Sequence, residues 1–342
     1  MILHYKCPSC GSDMGFDSES GKLSCESCGN QETIENYPEE LIESRFSEDE
    51  AKEYHCENCG AVLITETETV ATSCSFCGAG VVIADRLSGH LAPAKVIPFT
   101  ISKEEAREAF KKWCRKGLLT PKGFMNADRI KSITGMYVPF WLFDLNSKVQ
   151  VDAVCTKVRT YTRGDYIYTE TKYYDAFRDL NLDYVKIPVD ASEKMNDELM
   201  DKLEPYPYEQ LKDFKTPYLA GYIAERYNYS DEELLPRAKD KISGYIDSYV
   251  SSTFSGYHSV SYRNKQVDTR NVKSDYVLLP VWMVSYDYNK SEHTFAMNGQ
   301  TGKVVGKPPT SKGKVAMWFG GIASGTFLAL KCFSLFMGGG FW

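Results

Sequence analysis

The pattern of apolar and polar positions predicts a mixture of helices and strands in the middle of the chain. Ser102 and Glu105 stand three residues apart, as do Ser230 and Glu233, and each pair forms a capping-box pattern before an apolar run with helical spacing. Pro236 lies inside the second run, so we expect it to kink that helix unless the helix begins later than Ser230 indicates. The predicted helices cover residues 103–116, 190–203 and 231–250.

Strands are predicted where apolar residues alternate with polar ones or form short continuous runs. Arg163-Gly164-Asp165 predicts a hairpin turn between two such runs, and Asn298-Gly299 predicts another, because both of its residues tolerate positive φ. The expected fold class is α+β, with a mainly antiparallel β-sheet and packed helices. The predicted strands cover 136–143, 149–155, 166–174, 185–189, 260–266, 276–288, 294–297 and 303–305.

Two apolar segments resemble each other. Residues 139–143 (PFWLF) and 280–284 (PVWMV) share a Pro-x-Trp pattern, and each follows a predicted helix. One interpretation is a duplicated helix-plus-sheet unit; the other is that Pro-x-Trp recurs in two buried strands. A further segment, 206–229, contains six tyrosines among prolines and acidic residues without a basic stripe, which favours packing or interface roles over base stacking.

The C-terminal segment has the composition of a membrane span. From Val315 to Trp342 there is one charged residue, Lys331, and about 20 apolar residues suffice to cross the hydrocarbon layer. We predict a transmembrane helix over 315–338, with Lys331 extending towards the headgroups. Gly321 and Gly325 form a G-x-x-x-G spacing, which predicts helix–helix association in the bilayer. A buried C-terminal helix is the alternative.

The segment before that helix, 307–314, contains three lysines and is predicted to be a flexible basic linker. Positive residues next to a span remain on the cytoplasmic side, so we expect a single-pass cell-membrane protein with its N-terminal bulk in the cytoplasm. The three residues are Lys307, Lys312 and Lys314.

Eight cysteines near the N-terminus form two quartets with the same spacing. Each quartet is a C-x2-C pair, a 14-residue spacer and a second C-x2-C pair, and every second cysteine of a pair is followed by glycine. The glycine allows the positive φ of a tight turn that places two sulfurs on one ion. The quartets are Cys7, Cys10, Cys25 and Cys28, and Cys56, Cys59, Cys74 and Cys77.

Four thiolates at this spacing predict a tetrahedral structural Zn²⁺ site in each quartet, two ions in all, on two zinc ribbons. The complete ligand set leaves no open position for catalysis. Disulfides would require an exported chain, and the residues before Cys7 do not form a signal peptide. Iron in a four-thiolate site remains an alternative to zinc.

The charge distribution argues against a nucleic-acid partner for the ribbons. Residues 1–90 contain five basic and 17 acidic side chains, whereas the remainder carries 35 basic and 29 acidic ones. Binding to a duplex depends on neutralising phosphates with Lys and Arg, so the acidic N-terminal region would repel it. A nucleic-acid-binding or transcription-associated role is therefore the second hypothesis.

No catalytic pattern is found in the sequence. The five histidines form no metal-protease motif, and no nucleophile elbow, Walker or dinucleotide fingerprint is present. We expect a non-enzymatic protein. The three cysteines outside the quartets are expected to be inert thiols: Cys114, Cys155 and Cys332.

The Cys-Pro-Ser-Cys-Gly motif at Cys7 and its three partners resemble the TFIIB-type zinc ribbon proteins of Gram-positive bacteria. Residues 187–190, 218–227 and 295–303 are also similar to stretches of those proteins. Some members are membrane proteins encoded beside phage-shock protein A homologues. The resemblance implies a protein partner of that kind, or its recruiting membrane complex, in an envelope-stress response.

Together these patterns predict a membrane-anchored cytoplasmic adaptor that binds protein partners. The expected organisation is a first zinc ribbon (1–35), an acidic linker (36–53), a second zinc ribbon (54–88), an α+β domain (92–306), a basic linker (307–314) and a transmembrane helix (315–338).

Overall fold

The computed structural model describes most of the predicted α+β domain and the first cysteine quartet. The described residues are 2–3, 5–36, 53–55, 62–64, 69–73, 79–83, 93–117, 119–121, 124, 130–288 and 291–336.

Along the described chain, nine short strands precede the first α-helix, and the long strands and the other helices follow. The strands are β1 (Ile2–Leu3), β2 (Met14–Asp17), β3 (Lys22–Cys25), β4 (Gln31–Glu32), β5 (Glu53–His55), β6 (Val62–Ile64), β7 (Thr69–Ser73), β8 (Gly80–Ile83), β9 (Lys95–Val96), β10 (Ile130–Arg163), β11 (Tyr166–Asp190), β12 (Lys212–Asp213), β13 (Ile223–Glu225), β14 (Ser259–Tyr288), β15 (Ser291–Asn298) and β16 (Val304–Val305). The helices are α1 (Lys103–Lys116), α2 (Asp197–Leu203), α3 (Asp231–Ser252) and α4 (Lys312–Phe336), with 3₁₀ turns at Ile34–Asn36, Tyr208–Gln210 and Thr216–Leu219.

Within the described residues, eleven strands form one sheet with the order β1-β8-β7-β13-β10-β14-β15-β16; β11 pairs with β10, and β9 joins β12 to β14. The α+β expectation is confirmed. The sheet is mixed, because β13 runs parallel to β10 and β9 runs parallel to β14. It also crosses the boundary predicted at 88–92, since β7 pairs with β13.

The three long strands continue where the sequence predicted breaks. β10 spans 34 residues, β14 spans 30 and β11 spans 25, and the expected interruption after Phe143 is a bulge in the β10–β11 pairing. Helix α3 accounts for the unbroken length of β10. Its residues Ala238, Ile242 and Ile246 cover one face of this strand and pack against residues such as Val149. The β10–β11 turn lies at Gly164-Asp165, as predicted, with Gly164 at φ 63°.

The two Pro-x-Trp segments occupy equivalent positions on neighbouring antiparallel strands. Val138 of β10 pairs with Leu279 of β14, so the segments lie on either side of this pair. The carbonyl oxygens of Pro139 and Pro280 accept hydrogen bonds of 3.0 and 2.9 Å from the N–H groups of Ala191 and Gly299.

The equivalence extends to the helices. The indole N–H of Trp141 donates to the carbonyl of Tyr229 at 2.9 Å, and that of Trp282 donates to the carbonyl of Ile101 at 3.0 Å. Each of these carbonyls belongs to the residue immediately before a helix N-cap. The tryptophans therefore fix the starts of α3 and α1 against the sheet in the same way.

Both long capped helices form where the sequence predicted them. α1 begins after Ser102 and α3 begins after Ser230, and each has a complete capping box. α3 begins at Asp231, as predicted, and continues through Pro236, which lies near its N-terminus. Near the start of a helix, proline removes the N–H of one hydrogen bond and leaves the following turns intact.

The helix predicted over 190–203 is shorter. Asp190 ends β11, where it pairs with Phe140, and α2 begins only after Asn196, whose side chain accepts from the N–H of Leu199. The hairpin predicted at Asn298-Gly299 is confirmed, because β15 pairs with β16 through the connection 299–303, but the positive φ lies at Gly302 and not at Asn298 or Gly299.

The tyrosines between 206 and 229 contribute to packing, as expected. Tyr206, Tyr218 and Tyr222 are buried. The ring of Tyr222 stacks on Phe99 with centroids 4.2 Å apart and meets Tyr137 edge-on at 5.7 Å. Such aromatic pairs add to the stability gained from burial alone.

Helix α4 is long and apolar enough to cross a membrane, and none of its 22-residue candidate span, Lys312–Phe333, is buried. Its start is attached to the segment after α1: the N–H of Ser311 donates to the carbonyl of Leu119 at 2.8 Å, and Lys314 donates to the carbonyl of Thr120 at 2.7 Å. The linker predicted as flexible is thus hydrogen-bonded to the domain, and its last three residues belong to the helix.

Asp190 is a buried carboxyl group whose position corresponds to that of Asn298. Both side chains accept from the backbone N–H two residues later, at 3.1 Å for Ser192 and 2.9 Å for Gln300. The amide of Asn298 also donates to the carbonyls of Leu203 and Pro205, whereas Oδ2 of Asp190 is buried without a hydrogen-bond partner among the described residues. Burial raises the pKa of Asp190 to about 7.

We predict that Asp190→Asn stabilises the protein in a pH-dependent way. Because the pKa in the folded state exceeds the ordinary value of 3.8, this carboxyl group destabilises the fold increasingly as pH rises from about 4 through 7. The neutral amide should therefore add about 1–3 kcal/mol at pH 8 and less at pH 5. Thermal unfolding of the detergent-solubilised protein at both pH values measures this. Asp165→Asn, in the exposed hairpin turn, is the control. A wild type as stable as the variant at pH 8 would contradict the prediction.

Candidate metal centre

The first cysteine quartet lies on two backbone turns with the same geometry. In the first turn, the N–H of Gly11 donates to the carbonyl of Cys7 at 2.8 Å; in the second, the N–H of Gly29 donates to the carbonyl of Cys25 at 2.9 Å. The glycines have φ of 76° and 75°, a conformation that a side chain would strain. This is the role that the Cys-x-x-Cys-Gly pattern predicted for them.

A small three-stranded sheet holds the two turns together. β2 pairs with β3 so that Met14 lies opposite Cys25, and β4 adds to the other edge of β3. Between β2 and β3, the carboxylate of Asp17 accepts from the N–H groups of Glu19 and Ser20 and closes the turn. Met14, Phe16, Leu23 and Ile34 of this unit are buried and belong to the same hydrophobic cluster as Tyr218 of the large domain.

The four sulfur atoms converge on one point. Each lies within 4.8 Å of the other three, and the Sγ atoms of Cys7 and Cys28, and those of Cys10 and Cys25, are 3.5 Å apart. A tetrahedral ion with Zn–S bonds near 2.3 Å would separate its sulfurs by about 3.8 Å. The donor set therefore fits a four-coordinate thiophilic metal ion without rearrangement of the backbone.

The thiols do not ionise independently. The hydroxyl and N–H groups of Ser12 lower the pKa of Cys10 to about 6. The N–H of Asn30 acts to lower the pKa of Cys28, but the neighbouring sulfurs of Cys10 and Cys7 raise it to about 12. One thiolate is thus favoured at neutral pH while a neighbouring thiol stays protonated. Binding of a metal to all four sulfurs must displace protons.

The unit that carries this quartet is attached to the large sheet. The N–H of Phe16 donates to the carbonyl of Ala220 at 2.9 Å, and its ring meets Tyr218 edge-on at 5.4 Å. Gly15 and Gly221 approach each other closely at this junction. The hydroxyl of Tyr5 donates to Thr216 at 2.7 Å. No sequence pattern predicted this junction, because the residues on its two sides lie some 200 positions apart in the chain.

The second quartet lies outside the described residues, so its geometry is not compared with the first. The strands on either side of its cysteines are described: β5 pairs with β6, and β7 pairs with β8 and with β13 of the large sheet. The three remaining cysteines are separate from the metal centre. Cys114 and Cys155 are buried, and Cys332 is exposed on α4.

One known protein is similar over the whole chain. The uncharacterized protein YdjG of Bacillus subtilis (strain 168) is 76% identical over 341 residues, which cover 100% of both chains. This chain belongs to the YdjG family. No protein-family profile and no solved structure matches it. The described cysteine centre and the apolar C-terminal helix are therefore features of a member of the YdjG family.

We predict that Cys10→Ser/Cys28→Ser removes one equivalent of bound metal per chain, whatever the second quartet binds. Both residues are exposed at the sulfur cluster, so the substitution removes ligands with little change in packing. Metal content per chain, measured by plasma mass spectrometry, should fall by one. Cys332→Ser is the matched control and should retain the wild-type value. An unchanged metal content in the double variant would contradict the assignment.

Proposed function

We propose that this protein is a membrane-anchored cytoplasmic adaptor that binds protein partners through its folded part. The observation that carries the proposal is the exposure of α4: Phe319, Leu330 and Phe333 are each more than 60% exposed. An unpaired helix of this composition needs an apolar environment, and a bilayer supplies one. Lys331 lies over the ring of Phe327 at 5.9 Å and is placed to extend towards headgroups.

The proposed orientation keeps the N-terminal bulk in the cytoplasm. Lys312 and Lys314 lie at the start of α4, and Lys307 precedes it. Positive residues next to a span favour the cytoplasmic side. A centre of four reduced cysteines also belongs in a reducing compartment.

We propose zinc as the metal in each quartet, with two ions per chain. The first centre supports this through its four convergent sulfurs, and the second, Cys56, Cys59, Cys74 and Cys77, through its identical spacing. Each ion would close a zinc ribbon and contribute folding energy rather than catalysis. The metal is structural in this proposal, and the protein acts by binding.

The proposed partner is a phage-shock protein A homologue or its recruiting membrane complex, as the resemblance to TFIIB-type zinc ribbon membrane proteins implies. Gly321 and Gly325 offer a second binding surface, for another membrane helix. Both are exposed on α4 with space over their Cα atoms, and Gly321 lies beside Met317 and Trp318, which suits close approach of another membrane helix.

We also propose that the α+β domain contains a duplicated unit. Each unit would comprise a short strand, a capped helix, a long strand and a returning strand: β9-α1-β10-β11 and β13-α3-β14-β15. Support comes from the matched tryptophan and proline hydrogen bonds and from the parallel pairing of β9 and β13 at equivalent places on the long strands.

The anchor is tested by membrane fractionation. We expect the full chain to stay in the membrane pellet after an alkaline wash, and Phe327→Arg/Leu328→Arg, in the exposed face of α4, to be released, because two charges near the middle of a span cost several kcal/mol. Tyr245→Arg/Tyr249→Arg, on the exposed side of α3, is the control and should pellet as the wild type does. Release of the wild-type chain by the wash would contradict the proposed membrane anchor.

The adaptor role is tested by a detergent-solubilised pull-down of the full chain with and without nuclease. A phage-shock protein A homologue should be recovered in both cases and be lost with Cys56→Ser/Cys59→Ser. Cys332→Ser should recover it normally. Partners that disappear with nuclease would instead favour the nucleic-acid-binding alternative.

A further inference from the structure

The hairpin of β10 and β11 is much longer than its counterpart. β14 ends at Tyr288, eight residues beyond Pro280, whereas β10 continues to Arg163, 24 residues beyond Pro139. The shorter β14–β15 hairpin indicates how much length the sheet itself requires. The additional residues of β10 and β11, with the first part of β14, form an arm, defined here as 144–185 and 259–274.

One edge of this arm has a free backbone. Within the described residues, β11 pairs with β10 and with no other strand, so its outer edge presents unpaired N–H and C=O groups along most of 25 residues. Such an edge is a template for another strand, and proteins that stay monomeric usually block it with charges, proline or a covering element. Helix α3 covers one face of the arm but leaves this edge open.

The same strand carries large apolar side chains that nothing in the described chain covers. Ile167, Tyr173 and Phe177 are 75%, 73% and 58% exposed. In the register with β10 they lie opposite Thr162, Thr156 and Asp152, which places all three on the face turned away from α3. Exposed apolar groups beside an open edge favour pairing with another strand.

The charges on β11 suit a second copy of β11. In an antiparallel pair centred on Tyr174, Glu170 of each chain would lie opposite Arg178 of the other. Arg178 has no carboxylate partner among the described residues; its guanidinium donates to Thr253 and to the carbonyl of Phe177 and lies over the ring of Phe254. Glu170 contacts the exposed Lys172 of its own strand at 3.5 Å, a surface pair that contributes little. Opposite charges directly across an antiparallel pair are stabilising.

The other edge of the arm is less suited to pairing with itself. Between Ser259 and Ser274, β14 carries four cationic side chains and one acidic one. A copy of the same edge would bring like charges together, and lysines on an edge oppose strand addition. The four are Arg263, Lys265, Arg270 and Lys273.

We propose that two copies of this protein pair through the outer edges of β11, antiparallel and related by a two-fold axis near Tyr174. The pairing joins two three-stranded arms into one six-stranded sheet. Because the contact is the same on both chains, it closes after two copies and does not extend into a filament. It depends neither on the bound metal nor on the proposed stress-response partner.

The test is the mass of the full chain in mild detergent, by light scattering with the detergent contribution subtracted, at about 10 μM protein. Gly321→Leu/Gly325→Leu is used as the background, so that α4 does not hold two copies together. We expect the mass of two chains. Tyr173→Lys/Phe177→Lys should give one chain, and Tyr245→Lys/Tyr249→Lys, equally exposed on α3, should give two.

A charge exchange tests the register. Glu170→Arg should weaken dimerisation at least tenfold in dissociation constant, and Glu170→Arg/Arg178→Glu should restore at least part of it. Circular dichroism checks that each variant is folded. A mass of one chain before substitution, a mass of more than two chains, or an unchanged dimer in Tyr173→Lys/Phe177→Lys would each overturn the proposal.

Discussion

The antiparallel pairing of β10 with β14 organises the rest of the domain. It runs from Ile130 opposite Tyr286 to Thr156 opposite Ser259, and joins residues that lie more than 100 positions apart in sequence. β11 and β13 attach to the outer side of β10, and β9 and β15 attach to the outer side of β14. Contacts of such sequence separation form late and slowly, so the locally capped helices are available to pack before the sheet is complete.

The starts of α1 and α3 are bound to this pair of strands by tryptophan hydrogen bonds. Trp282 is buried and Trp141 is partly exposed, and each indole N–H has an acceptor. In each case the acceptor is the carbonyl one residue before an N-cap serine. A tryptophan, a capping box and a proline carbonyl thus act as one arrangement, which appears twice. The two copies of the arrangement differ at Asp190. Asn298, at the corresponding position, has an amide N–H that donates to a nearby carbonyl, whereas the carboxyl oxygen Oδ2 of Asp190 is buried without a partner among the described residues.

Features with local causes could be predicted from the sequence, and features with tertiary causes could not. Ser102 and Ser230 begin their helices as predicted because capping depends on residues three positions apart. The turns at Cys7 and Cys25 likewise follow from local spacing and a glycine. Strand length depends on what covers the strand, so the length of β10 was not apparent before α3 was placed against it. Asp190 looked like a helix start and became a strand end for the same reason.

The two ends of β10 place the proposed functions far apart. The start of α4 is hydrogen-bonded to Thr120, and nearby Phe124 packs on Phe295 of β15. Only β14 separates Phe295 from the first residues of β10. Arg163, at the other end, is on the order of 100 Å away at about 3.3 Å per residue. The described part of the acidic N-terminal region attaches near the start of β10, where β7 pairs with β13 and β13 pairs with β10 at Met136, and charges are screened within about 8 Å at physiological salt. The charges of that described part therefore do not reach the tip of the arm, where the proposed pairing depends on the tyrosines and charges of the arm itself.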